Sequence, residues 1–86
     1  GWALSGPPNL KRITIPSPDQ LDAWLAKRLQ GEGRVMLVTH ADAAHPKHVG
    51  VDLLGDCLKS LGWTSERRFT LHGGLIGHVI CRVGNA

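Results

Sequence analysis

Residues 35–38 read Val-Met-Leu-Val, an unbroken apolar run closed by Thr39 and His40 and flanked on both sides by helical patterns. Side chains along a strand alternate between its two faces. Four apolar residues in a row therefore describe a strand covered on both faces, or one in the middle of a sheet. In a chain of 86 residues, which buries only a modest core, that strand dictates the plan. The other elements must lie on it or beside it.

The preceding segment, Ser17 to Gly31, reads as the first helix. Ser17 stands as N-cap, Pro18 at the first helical position and Gln20 where a capping box needs its partner. Leu21, Trp24, Leu25 and Leu29 recur at helical spacing. Lys27 and Arg28 fall in the last turn, where the helix dipole favours cations, and Gly31 ends the element. Upstream, Lys11 to Ile15 alternates as a short strand with Ile13 and Ile15 on one face. Residues 1–10, with two prolines, two glycines, Ser and Asn, read as a linker or irregular arm.

Downstream of the central run, Val51, Leu54, Leu58 and Leu61 hold helical spacing with Cys57 beside them. Gly55 weakens this second helix by about 1 kcal/mol relative to Ala and suggests close approach to a strand. Gly62 stops it. Two alternating runs follow, joined at Gly73–Gly74 as a two-residue hairpin turn. In the first, Arg67, Phe69 and Leu71 point one way and Arg68, Thr70 and His72 the other. In the second, Leu75, Val79, Cys81 and Val83 oppose Ile76, His78, Ile80 and Arg82.

The order β-α-β-α-β-β predicts an α/β (α+β) open-faced two-layer sandwich. Two helices cover one face of a four-stranded mixed sheet, and each β-α-β unit crosses over right-handed to give parallel neighbours. Residues 11–84 form one domain, read as a fragment of a longer protein because the chain opens on Gly and its only Met is Met36. The uncovered face is expected to carry Arg68, His72, His78 and Arg82, with Ile76 and Ile80 as an apolar patch. No repeat or low-complexity run is present.

Composition narrows the class. Apolar residues at 42% and charged residues at 20% describe an ordinary globular domain. No apolar run reaches the roughly 18 residues needed to cross a bilayer, and no stretch reads as a signal peptide. The net charge of +3 admits an anionic partner such as RNA. One Phe, three Trp and no Tyr argue against a base-stacking surface built from many aromatics. Cys57 and Cys81 lie far apart without a CxxC. They read as free thiols, with one disulfide as the alternative, and a cytoplasmic or organellar-matrix location is expected.

The stretch "HADAAHPKH", His40 to His48, concentrates the chemistry. His40, His45 and His48 with Asp42 offer nitrogen and oxygen donors, but their spacing matches no familiar zinc pattern and no cysteine joins them. No metal and no cofactor are expected. His40 and His45 have the titration range of a general acid and base, at the carboxyl end of a central strand where open sheets hold ligands. No nucleophile elbow, P-loop or carboxylate pair accompanies them. "CLKSLGWTSERRFTLHGG" echoes small toxin ribonucleases only loosely and in the wrong element order. A non-enzymatic domain is the stronger reading.

"AHPKHVGVDLL", Ala44 to Leu54, followed by Leu61-Gly62 and a closing hairpin, resembles the C-terminal domain of bacterial translation initiation factor three. The resemblance spans Leu10 to Val83. It implies an RNA-facing domain that binds the small ribosomal subunit and performs no chemistry. The family's loop is basic before the histidine; here Asp42 stands there without an arginine, which leaves Lys47 and His48 as the cations. Sulfur carriers share the same element order but need a cysteine near the first helix, where Ser17-Pro18 stands. The residues expected to contact phosphate are Lys47 and His48 at the start of the second helix and Arg67, Arg68 and Arg82 on the hairpin, extended by Lys11 and Arg12. Arg67 is expected to lean toward the core and snorkel. The alternative is a protein-interaction or oligomerisation module that uses Ile76 and Ile80, unless an arm carrying Trp2 covers them.

Overall fold

The structure, a computed structural model, describes residues 10–84; most of the arm expected over residues 1–10, including Trp2, lies outside them. The elements are β1 (Lys11–Thr14), α1 (Leu21–Arg28), β2 (Arg34–His40), α2 (Val51–Ser60), β3 (Trp63–Leu71) and β4 (Leu75–Arg82). They build the expected two-layer sandwich with a four-stranded mixed sheet. The strand order is β1-β2-β4-β3.

That order corrects one expectation. β1 and β2 are parallel neighbours, with Ile13 opposite Leu37. β3, however, does not sit beside β2. β4 inserts between them, antiparallel to both, with Val35 opposite Ile80 and Arg68 opposite His78. The hairpin strand thus satisfies the backbone groups of β2 that a second parallel crossover would have used. β2 becomes central, as its apolar run requires.

The core lies between sheet and helices. Ile13 and Ile15, Val35 and Leu37, and Ile80 face Leu21, Leu25 and Leu29 from the α1 segment and Leu54 and Leu58 from α2. Val51, expected on the buried stripe, is 48% exposed at the helix entry. Gly55 approaches no strand: a Cβ placed there meets nothing within 4 Å.

Paired residues share a face, so Ile76, His78, Ile80 and Arg82 stand with Val35 and Leu37 on the helix side. The grouping of β4 residues holds, but its side is the reverse of the expected one. Ile80 is fully buried, and the open face carries Leu75, Gly77, Val79 and Cys81 instead. β4 is apolar on both faces, so alternation alone does not choose; pairing with β2 does. Cys81 on this face and Cys57 on α2 are both free thiols.

Glu66 is a β-bulge. Ser65 opposes Ile80 and Arg67 opposes the very next residue, Val79. One extra residue switches the parity of the strand. Trp63 and Ser65 therefore join Arg68 and Thr70 on the helix side, while Arg67, Phe69 and Leu71 face the open side. Arg67 consequently points away from the core. The Glu66 carboxylate accepts from Arg34 Nε at 2.9 Å and from its Nη2 at 2.6 Å, which pins the bulge to β2.

Two local readings change as well. Ser17 does not cap α1: its Oγ accepts the Asp19 N–H at 3.0 Å in a tight turn. The helix opens from Gln20 in the left-handed region, with φ 51°. The short hydroxyl reaches the amide two residues on and closes the Pro-flanked turn before the helix begins. The hairpin loop holds three residues, His72 to Gly74, because Leu71 pairs with Leu75. Gly73 and Gly74 both take positive φ, which L side chains resist.

Arg82 joins the layers. Its Nε donates to Glu32 O at 2.8 Å and its Nη2 to Leu29 O at 3.3 Å. Its guanidinium also lies 5.0 Å from the centroid of the buried Trp63 ring. It therefore satisfies carbonyls just past α1, which have no helical partners. Arg82→Ala is expected to lower unfolding free energy by about 1–2 kcal/mol. Arg82→Lys should recover less than half, because a point charge cannot fork and stack together. Urea denaturation followed by Trp fluorescence measures both.

Candidate nucleic-acid interface

The histidine loop is built at the carboxyl end of the parallel β1–β2 pair. Ala41 N–H donates to Gly74 O at 2.9 Å, which ties the loop to the hairpin turn. Asp42 Oδ1 accepts the Ala44 N–H at 2.9 Å, and Asp42 O accepts from His45 N–H at 2.9 Å. Asp42 is thus spent on folding the loop, as short carboxylates are in turns. Among the described residues no three His, Cys, Asp or Glu side chains converge in a metal-holding group.

The three imidazoles have distinct states. His40 and His45 stack with centroids 3.8 Å apart and ring planes within 5°. The His45 Nδ1 accepts the Lys47 N–H at 3.0 Å, so neutral His45 carries its proton on Nε2. His48 Nδ1 donates to His40 O at 2.8 Å, because a carbonyl only accepts, so neutral His48 leaves Nε2 bare. The His40 pKa is lowered, first by burial and then by the neighbouring charges of His45 and Lys47.

His40 leads onto the open sheet face. Register places Arg12 and Thr14 of β1, Met36 and Val38 of β2, Gly77 and Val79 of β4, and Arg67 and Phe69 of β3 on that face. Its middle is covered, with Val38 and Val79 buried, while Arg12 and Arg67 are exposed. Gly77 is the centre: a Cβ there would stand 3.1 Å from Met36 Sδ and 3.1 Å from the Phe69 ring. The missing side chain leaves room for both to approach the backbone there. The Arg67 guanidinium stands over the Phe69 ring, 5.7 Å from its centroid, within cation–π reach. The face therefore holds one ring with a cation on it, one imidazole stack and Arg12 at the far strand.

The five candidate contacts do not form one patch. Arg67 is on the open face. Lys47 and His48 are in the loop, before the Gly50 N-cap rather than on the α2 start. Lys47 is exposed, while His48 is half-buried. Arg68 and Arg82 are on the helix side. Arg82 stands seven residues along β4 from the loop end, about 23 Å at 3.3 Å per residue. Lys11 is held by Glu32 at 2.7 Å. The reading from sequence missed Phe69, Gly77 and the His40–His45 stack. A glycine inside a strand beside the lone phenylalanine was the available signal.

His78, expected on the open face, is instead 3% exposed beneath the helices. Its Nε2 lies 3.0 Å from the Thr39 hydroxyl. Burial, and secondarily Arg68, lowers its pKa from the ordinary 6.5.

Comparison with protein-family models, curated proteins and solved structures found no match for this chain. Among the described residues no helix is long and apolar enough to cross a membrane.

Two outcomes follow from the histidines. The unfolded chain takes up protons near 6.5 before folded His78 does, so stability is complete above that pH and declines as pH falls through the lowered folded value. Urea midpoints should drop between about pH 7.5 and about pH 5, and Thr39→Val with His78→Leu should flatten that slope. Long-range proton–nitrogen NMR at neutral pH should show His48 protonated on Nδ1 and His45 on Nε2.

Proposed function

We propose that this domain binds single-stranded RNA across the open face of its sheet, without chemistry. The observation that carries this reading is the Arg67–Phe69 cation–π pair on the same face as Arg12 and the His40–His45 stack. Rings stack on bases of any sequence, and cations beside them take the phosphates. Arg12 and Arg67 stand in one line across the sheet through Met36 and Val79, and Lys47, in the loop beyond His40, adds a third cation at the carboxyl end of β2. The resemblance of Ala44–Leu54 to the initiation factor three domain supports the same class of partner and favours ribosomal RNA. In this proposal His48 positions the loop through the His40 carbonyl, and Arg68 and Arg82 lie outside the interface.

A labelled oligoribonucleotide titrated at two salt concentrations tests the proposal. Neutralising three phosphates gives a slope of log K against log salt of about −2. Phe69→Ala should cost about 1–3 kcal/mol of binding, and Arg67→Glu should weaken binding and flatten the slope. Lys27→Glu on α1, in the other layer, should leave affinity within about twofold. Absence of binding at low salt, or equal losses from Lys27→Glu and Arg67→Glu, would sink the proposal.

A further inference from the structure

The other side of β3 carries a different surface. β3 is a nine-residue strand at the edge of the sheet, and among the described residues no strand pairs its outer side. Such an edge presents unpaired backbone donors and acceptors to any extended chain. Between β3 and α2 runs a groove of about 440 Å³, floored by Leu58, Trp63 and Val83. It adjoins a recess of about 60 Å³ lined by Val51, Arg68 and His78, and Gly55 borders both. The missing side chain at Gly55 keeps the groove open, since the space beyond its Cα is empty to 4 Å. Val83 of the groove is 55% exposed and Val51 of the recess 48%.

The walls also carry charge of one sign. Lys59 lines the groove and Arg68 the recess. The ion pairs of the described residues are Lys11–Glu32 and Arg34–Glu66, so neither cation is engaged in one. Asp52 and Asp56 of α2 do not line either space. A second copy of this chain offers little acid to this edge, because the one carboxylate of β3, Glu66, is already bound to Arg34.

We propose that this edge and groove accept an extended, acidic-apolar segment of a partner protein. The segment adds to β3 as a fifth strand and turns one face toward α2. On that face, at every second residue, small apolar side chains enter the groove beside Gly55 and carboxylates interspersed among them meet Lys59 and Arg68. Backbone pairing supplies the affinity, and the alternating side chains supply the choice of partner. The surface is separate from the open sheet face and does not depend on RNA binding there.

The test uses a fluorescein-labelled decapeptide Val-Thr-Glu-Thr-Val-Thr-Glu-Thr-Val-Thr, whose Val and Glu share one strand face, and a Val-Lys counterpart with Lys for Glu, followed by anisotropy and by amide shifts of the 15N-labelled chain. Saturable binding is expected, with shifts concentrated on Trp63–Leu71 and Val51–Ser60. Gly55→Leu fills the groove at a helix position with room for a side chain. It should weaken the peptide at least tenfold while the melting temperature holds or rises. Lys59→Glu with Arg68→Glu should reverse the preference toward a Val-Lys peptide. An oligoribonucleotide should not displace the peptide. The proposal is overturned by absence of saturation at about 1 mM peptide, by equal binding of the Val-Lys peptide to the native chain, or by unchanged affinity in Gly55→Leu. It is also overturned if the β3 shifts arise from self-association in sedimentation without peptide.

Discussion

The insertion of β4 between β2 and β3 is the constraint on which the rest of the molecule depends. It supplies the antiparallel partner that the apolar central strand requires. It brings Ile80 against Val35 and His78 against Leu37, which decides the inside of the hairpin. It also places Gly74 where its carbonyl can take the Ala41 N–H, so the histidine loop is anchored to the hairpin turn. And it sends β3 to the edge.

The bulge at Glu66 resolves a conflict that this arrangement creates. Trp63 has to be buried to cover the α2 end of the core, while Phe69 and Arg67 belong on the open side. Regular alternation gives Trp63, Arg67 and Phe69 the same face. One unpaired residue separates the two demands, and the Arg34–Glu66 ion pair holds that residue in place. Arg82 then closes the far end, with its charge over Trp63 and its donors on carbonyls beyond α1. The same device that buries the tryptophan thus frees a ring and a cation for the open face.

The histidines show how one residue type takes different roles in one small domain. His78 is buried and neutral, paired with a hydroxyl. His48 is a structural donor to the strand it follows. His45 and His40 form a stack at the edge of the open face, where a charge on one ring opposes a charge on the other. These roles are set by what each ring nitrogen meets, and the carbonyl of His40 and the amide of Lys47 decide two of them.

Sequence periodicity alone determined the element order, the Leu21–Leu25–Leu29 stripe, the stops at Gly31 and Gly62, and the need to bury Val35–Val38 on both sides. These are local matters: helical spacing, positive φ and an apolar run each act within a few residues. It also grouped Ile76, His78, Ile80 and Arg82 correctly. Which side that group faced belonged to the tertiary structure, because β4 is apolar on both faces and only pairing with β2 breaks the tie. The loop was legible as a cluster of histidines, but not as a stack on the same sheet face as Phe69 and Arg67, which lie more than twenty residues away. Those groups come to one face only when β4 threads between β2 and β3, where the backbone hydrogen bonds of the central strand are completed.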